Sequence, residues 1–219
     1  MTKRKNSQKI FCIGLSKTAT TAVSVALGHL GYNVKHYPLD CFYLDGSKQV
    51  RLRPDKVDEY DGISDTVAAR FFKELDRRFP GSLFINTTRD LQPWLRSCWK
   101  TFWYGQLFKQ RDKANQLHFD LYGAIDFDEE KFKEGYRRHH KEVYTYFKGR
   151  EDILEMDVTK GDGWDVLCPF VGEEKPDIPF PSVDCFWAGF FKKIPIQRLR
   201  DAFPFNINRI PEWRSWTPE

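Results

Sequence analysis

Residues Lys9–Leu30, KIFCIGLSKTATTAVSVALGHL, decide how the chain is read. Ile10 to Ile13 is a short apolar run of the kind that forms a buried strand, and it stops at Gly14. Leu15 to Ala19 is a turn of small residues that opens directly into a helix. From Thr20 the apolar positions Val23, Leu27 and Leu30, with Ala22 and Ala26 beside them, recur at helical spacing towards a stop near Gly31. A strand, a tight loop and a helix in this order cradle a phosphate. The first-turn N–H groups of a helix have no partner within it, and the helix dipole places partial positive charge there, so an anion is stabilised. Gly14 lets the chain turn where the strand stops, Lys17 brings a full positive charge, and Thr18, Thr20 and Thr21 bring hydroxyl donors. The same residue types also suit an ordinary strand, turn and helix whose Lys and Thr side chains face water. The ATP-type pattern G-x-x-x-x-G-K-[ST] is not met, because no glycine directly precedes Lys17, so the anion need not be a triphosphate.

A length of 219 residues suits one domain with a substantial core, here 9–219, behind a short flexible basic tail at 1–8. The net charge of +4 is small for this length; it fits an acidic small ligand as readily as a polyanion, and nucleic acid is not expected as a partner. Five scattered cysteines, Cys12, Cys41, Cys98, Cys168 and Cys185, show no C-x-x-C pair, which suits reduced thiols in a cytoplasmic protein rather than a disulfide framework or a zinc site. The opening MTKRKNSQK is basic, but the apolar run behind it is too short for a signal peptide or a membrane span.

Further along, Asn33 to Tyr37 reads as a second strand before Pro38, and Leu39 to Ile63 as a loop-rich excursion with one short helix. Ser64 to Phe79 reads as a helix with Val67, Phe71, Leu75 and Phe79 on one face, capped by Ser64 or Asp65 and ended by Pro80-Gly81. Ser82 to Thr88 is a β-rich run leading through Arg89-Asp90 into another helix, with Leu91, Leu95, Cys98 and Phe102 at helical spacing. Gly105 to Asp126 has no clear period and reads as a lid or excursion. Asp128 to Lys148 reads as a long amphipathic helix striped by Phe132, Tyr136, Val143 and Phe147; its His139-His140 pair has no ligand-spaced carboxylate and suits packing or surface. Asp152 to Met156 is a strand, followed by a turn and a helix through Val171, and Lys175 to Pro181 is extended by its prolines. The tail from Ser182 reads as short helices. Repeated strand-to-helix junctions predict an α/β domain of three layers, a central parallel sheet flanked by helices, with ligands at the carboxyl ends of the strands, where Lys17 and Arg89 stand.

GLSKTATT after the first strand, TTRDLQPWLRS after a middle strand and LEMDVTKGDGWDVLCPFVG late in the chain together resemble the P-loop sulfotransferases that use 3′-phosphoadenosine-5′-phosphosulfate (PAPS), in the branch with a GDGW segment. Order and spacing agree over most of residues 9–184. The resemblance implies that the first loop, Ser16, Lys17, Thr18, Ala19, Thr20 and Thr21, grips the 5′-phosphosulfate. It implies that Arg89, with Ser97 eight positions later, grips the 3′-phosphate, leaving 3′,5′-adenosine bisphosphate (PAP) as product. An arginine fork suits a terminal phosphate dianion. The sequence departs from the family pattern at Ser16, where proline is usual, and at Ala19, where glycine is usual. Should position 19 need positive φ, alanine there costs about 1 kcal/mol. A C-terminal R-K-G segment is also missing; Lys192, Lys193, Arg198 and Arg200 are the basic residues that stand as substitutes.

Sulfuryl transfer needs an in-line hydroxyl or amine, a base, and positive charge on the leaving phosphate, a role that falls to Lys17. No metal is required, since a sulfuryl group carries less charge than a phosphoryl group. The family places its base at the end of the strand before the middle helix, which is Asp65 here; His36 and Asp40 are the reserves. Asp65 equally suits a helix cap, and a capping carboxylate has a lowered pKa. Phe42, Tyr43, Trp99, Phe102, Trp103 and Tyr104 suit either an apolar pocket for a small-molecule acceptor or the core. Two other functions fit the same residues: a P-loop small-molecule kinase with Asp157 holding magnesium, or a nucleotide-binding protein of this fold without catalysis.

Overall fold

The computed structural model describes residues 8–105 and 112–182 of the chain. Contacts divide the chain into a unit ending at Pro181 and a second starting at Ser182. The expected helices of the tail, the 1–7 stretch, Cys185 and the four basic substitutes lie outside the described residues, as do the side chains of Phe102, Trp103 and Tyr104.

Apolar residues on both faces of the central strand set the architecture. In β1 (Ile10–Cys12), Ile10 and Cys12 face one side and Phe11 the other, and all are buried. The first face is covered by α1 (Thr20–His29) through Val23, Ala26 and Leu27. Beyond α1, Gly31 adopts φ 91 as the expected stop. β2 (Val34–His36) follows at the sheet margin.

Residues 39–63 hold more regular structure than the sequence reading gave them. β3 (Phe42–Leu44) and β4 (Val50–Leu52) form an antiparallel hairpin, followed by a single helical turn, α2 (Pro54–Val57), and by β5 (Gly62–Ser64). Each strand has three residues, too few for an alternating pattern to stand out from a mixed background. Gly62 has a steric reason: a Cβ there would lie 1.7 Å from the Ile10 carbonyl oxygen of the neighbouring strand.

α3 (Thr66–Arg78) covers the second face with Val67, Phe71 and Leu75, and its N-cap is Asp65, whose side chain accepts from the Thr66 N–H. β6 (Leu83–Thr87) leads into α4 (Leu91–Gly105). Of the stretch expected as a lid or excursion, residues 106–111 lie outside the described residues and the remainder holds α5 (Asp112–Tyr122), where Ala114, Leu117 and Leu121 recur at helical spacing and are buried. α6 (Glu129–Phe147) starts at Asp128, which accepts from the Lys131 N–H, and buries Phe132, His139, Val143 and Phe147. β7 (Ile153–Met156) precedes a 3-10 turn at Val158–Lys160 and α7 (Trp164–Val171), which joins α1 on the first face.

Among the described residues the main sheet has five strands in the order β2-β5-β1-β6-β7, and every pairing is parallel. The fold is therefore the three-layer α/β arrangement of the P-loop class. The chain leaves β1 to one side for β2 and later crosses from β5 to β6 on the other. That reversal of direction opens a crevice above β1, where ligands of such sheets gather.

Candidate active site

Carboxyl ends of β1, β2, β5 and β6 deliver the predicted residues to one edge of the sheet. The loop from Ile13 to Ala19 rises from β1 and is pinned on three sides. Thr18 is fully buried: its hydroxyl donates to the Leu15 carbonyl at 2.7 Å and so accepts from Thr87 of β6 at 2.7 Å. The Ser16 carbonyl accepts from the Trp94 indole N–H at 2.8 Å. The Lys17 carbonyl accepts from an Arg89 Nη at 3.3 Å, which ties the first loop to the turn after β6. Gly14 is needed here for space, not for a glycine-only turn, since its φ is not positive; a Cβ would sit 1.9 Å from the Thr87 hydroxyl oxygen.

Two loop residues take left-handed backbone, Lys17 at φ 73 and Ala19 at φ 70. Ala19 is also the N-cap of α1, and no side chain caps that helix. Its first-turn N–H groups are thus left to a ligand or water. The question posed by alanine at position 19 is settled: the position does use positive φ, and the side chain strains it. Ala19→Gly is expected to raise stability by up to about 1 kcal/mol, read as a higher Tm by calorimetry. An unchanged or lower Tm would show that alanine sits there without strain.

Asp65 stands opposite the loop at the end of β5. Its carboxylate accepts from Ser16 Oγ and Thr20 Oγ1, each at 2.6 Å, and from the Thr66 N–H at 2.6 Å. The residue is 5% exposed. Burial pushes its carboxyl up, but the His36 ring and the donors from Ser16, Thr20 and Thr66 outweigh that and hold it below the usual range. Its backbone, φ 71 and ψ −158, lies where few residues other than glycine go.

His36, at the end of β2 and paired in register with Ser64, lies with Nε2 3.8 Å from Asp65 Oδ2 and 3.1 Å from Thr21 Oγ1. Its Nδ1 lies 3.0 Å from Ser64 Oγ. Asp40 does not join this cluster; it is exposed and accepts from the Tyr60 hydroxyl at 3.3 Å. On the far side of the crevice, Arg89 is half-buried, its Nε is buried without a hydrogen-bond partner, and its carbonyl accepts from Tyr136 at 2.6 Å. Ser97 is half-buried two turns into α4, with its carbonyl accepting from Thr101 at 3.0 Å.

The structure adds residues that sequence reasoning did not single out. Ser24 and Ser64 connect His36 to α1, Thr87 pins the loop, and Tyr136 holds the Arg89 turn. Thr87 opens the TTRDLQPWLRS segment and Ser64 reads in the sequence only as a helix cap; strand register and helix packing, which the sequence does not show, bring all four to the site. His118 of α5 lies 3.4 Å from the Tyr37 hydroxyl, and burial lowers its pKa to about 4, opposed by Asp65. His139, buried, bonds the Ile13 carbonyl at 2.9 Å and supports the strand end. Cys98 is fully buried, and burial drives its thiol far up against the lowering pull of Lys17 and Arg89. Among the described residues no cluster of three or more His, Cys, Asp or Glu side chains is arranged to hold a metal ion, and no helix is long and apolar enough to cross a membrane. Phe42 belongs to the core, whereas Tyr43 is exposed.

The structure is a parallel three-layer domain with an uncapped helix start after its central strand and an arginine after the neighbouring strand β6. The chain belongs to the sulfotransferase domain family, whose model matches residues 9–185. It is also similar to Ava biosynthesis cluster protein M of Aspergillus versicolor, 25% identical over 212 aligned residues that cover 80% of each chain. The family gives the protein a function of the sulfotransfer type.

Proposed function

We propose that the protein transfers a sulfuryl group from PAPS to a hydroxyl or amine of a small molecule, releasing PAP. The observation that carries this reading is the buried, unpartnered Nε of Arg89, two residues beyond the end of β6 and tied through Nη1 to the Lys17 carbonyl. A buried guanidinium N–H without an acceptor is costly, and an anion at this point satisfies it. The uncapped first turn of α1 and the left-handed Lys17 and Ala19 offer a second anion place on the same edge. Two anchors on adjacent loops suit a nucleotide with phosphate at both ends.

In this reading Lys17 and the N–H groups from Ala19 to Thr21 hold the phosphosulfate end, and Arg89 with Ser97 holds the 3′-phosphate. The donor supplies an activated sulfur whose leaving group is a phosphate. Lys17 stabilises the charge that grows on that phosphate, and preorganised donors in such a place are worth most. Thr18 serves from within, since its hydroxyl is spent on the loop itself. The Asp65–His36 pair receives the acceptor's proton. The acceptor class draws support from the relative in Aspergillus versicolor, whose name refers to a biosynthesis cluster.

The kinase alternative is weaker on a specific ground: one oxygen of Asp157, its magnesium candidate, already accepts from the N–H and hydroxyl of Thr159, at 2.9 and 2.6 Å. Incubation with [35S]PAPS and a panel of phenols, alcohols and amines tests the proposal. A labelled product with PAP release is expected; PAP binding with no product from any acceptor would favour the non-catalytic reading.

A further inference from the structure

The hydroxyl groups around His36 fix where its ring carries a proton. Ser24 donates its single hydroxyl hydrogen to the Thr20 carbonyl at 2.8 Å. In the 2.6 Å contact between Ser24 and Ser64, the hydrogen must therefore come from Ser64. Ser64 then has none left for His36, so in the 3.0 Å contact between them the ring's Nδ1–H donates and Ser64 Oγ accepts. In the neutral ring Nε2 is consequently bare, and its lone pair takes the Thr21 hydroxyl hydrogen at 3.1 Å.

Resting on the sulfotransfer reading above, we propose that His36 Nε2 is the atom that takes the acceptor's proton. In this scheme Ser64 and Ser24 hold the ring in its proton-accepting tautomer, and Asp65 is a positioning residue. The two oxygens of Asp65 already take three donors, and the residue is 5% exposed, so protonating it means releasing the loop. The His36 side chain is 32% exposed at the open edge of β2. Once charged, its Nε2–H lies 3.8 Å from Asp65 Oδ2, a carboxylate placed to steady the imidazolium. The step balances: the acceptor O–H or N–H proton goes to Nε2, the acceptor's lone pair forms the new bond to sulfur, and the sulfur–oxygen bond to the phosphate breaks with its electron pair on the phosphate.

Thr21 makes the base conditional. Its one hydroxyl hydrogen caps Nε2 in the structure described, and the same hydroxyl stands in the loop proposed to hold the phosphosulfate. Turning that hydrogen to a donor oxygen uncovers the base, so donor binding and base activation are linked through one side chain.

Two measurements on the full chain test this. In protein with 15N-labelled imidazoles, the neutral His36 ring is expected to show a protonated Nδ1 and a bare, pyridine-type Nε2, and Ser64→Ala to shift the population towards the other tautomer. A wild-type ring protonated on Nε2 overturns the assignment. His36→Gln is expected to keep PAP binding while transfer of 35S from PAPS falls about 100-fold or more. His36→Ala should regain part of the rate with added imidazole. Wild-type turnover in His36→Gln would return the base to Asp65, and a lost rate that imidazole does not restore would make His36 structural; either outcome overturns the proposal. If the wild-type protein fails to bind PAP at all, it is the sulfotransfer reading that falls, and the tautomer measurement still stands by itself.

Discussion

Arg89→Ala is expected to weaken PAP binding roughly 30- to 700-fold, corresponding to about 2–4 kcal/mol for removing one partner of a desolvated, charge-assisted pair. Two losses combine in that figure. The guanidinium Nε that now lacks a protein acceptor disappears from the proposed phosphate site, and the loop also loses the Nη1 bond to the Lys17 carbonyl. Arg89→Lys should recover only a fraction, because an ammonium cannot present a planar fork to a phosphate and bond the loop as well. Calorimetric titration of the three proteins measures the effect. Equal affinities across them would place the second anion elsewhere than beside Arg89.

Asp65→Asn is expected to have an effect of comparable size, but on two observables together. An amide presents one acceptor oxygen and one NH2 where the carboxylate presented two acceptors. One of its sides would therefore face the Ser16 and Thr66 donors, or the Thr20 donor, without an acceptor. Leaving buried donors unsatisfied costs about 1–3 kcal/mol, which should appear as a lower Tm. Ser16 and Thr20 bracket Lys17 and Ala19, so PAP affinity should fall as well, roughly 10-fold or more. Asp65 itself stands at φ 71 and ψ −158, held on the backbone side by its N–H to the Cys12 carbonyl and by the Ala69 N–H to its own carbonyl. A variant with wild-type Tm and PAP affinity would contradict this account, whatever its turnover.

The readable parts of the fold were those whose pattern spans several turns or a whole buried strand. The run from Ile10 through the α1 stripe and the Val67-Phe71-Leu75 face of α3 bury what their periodicity implied, and the α6 stripe buries Phe132, Val143 and Phe147 while Tyr136 is half-buried. The β3–β4 hairpin and β5 escaped because their three residues apiece stand among charged residues and Gly and Pro breakers, without the unbroken apolar run that marks the equally short β1, and α5 because its buried Ala114, Leu117 and Leu121 stand among polar and aromatic residues. At the site, residues that bear charge in a motif, Lys17, Asp65 and Arg89, were visible as candidates. The loop hydroxyls of Ser16, Thr20 and Thr21 were visible too, whereas the hydroxyls of Ser24 and Ser64 beside His36 were not. Ser24 and Ser64 are 40 positions apart in sequence and meet only because β5 packs against β1 beside α1. Gly14 shows the same limit: a glycine was expected for a turn, and the cause is the approach of Thr87 from a strand far along the chain.

In the proposed function this loop and Arg89 hold a two-phosphate nucleotide without a metal. Calorimetric titration of the full chain with PAP, with and without magnesium, tests it most directly. One saturable site with the same affinity in both conditions is expected. No binding of PAP, together with binding of ATP that depends on magnesium, would contradict it.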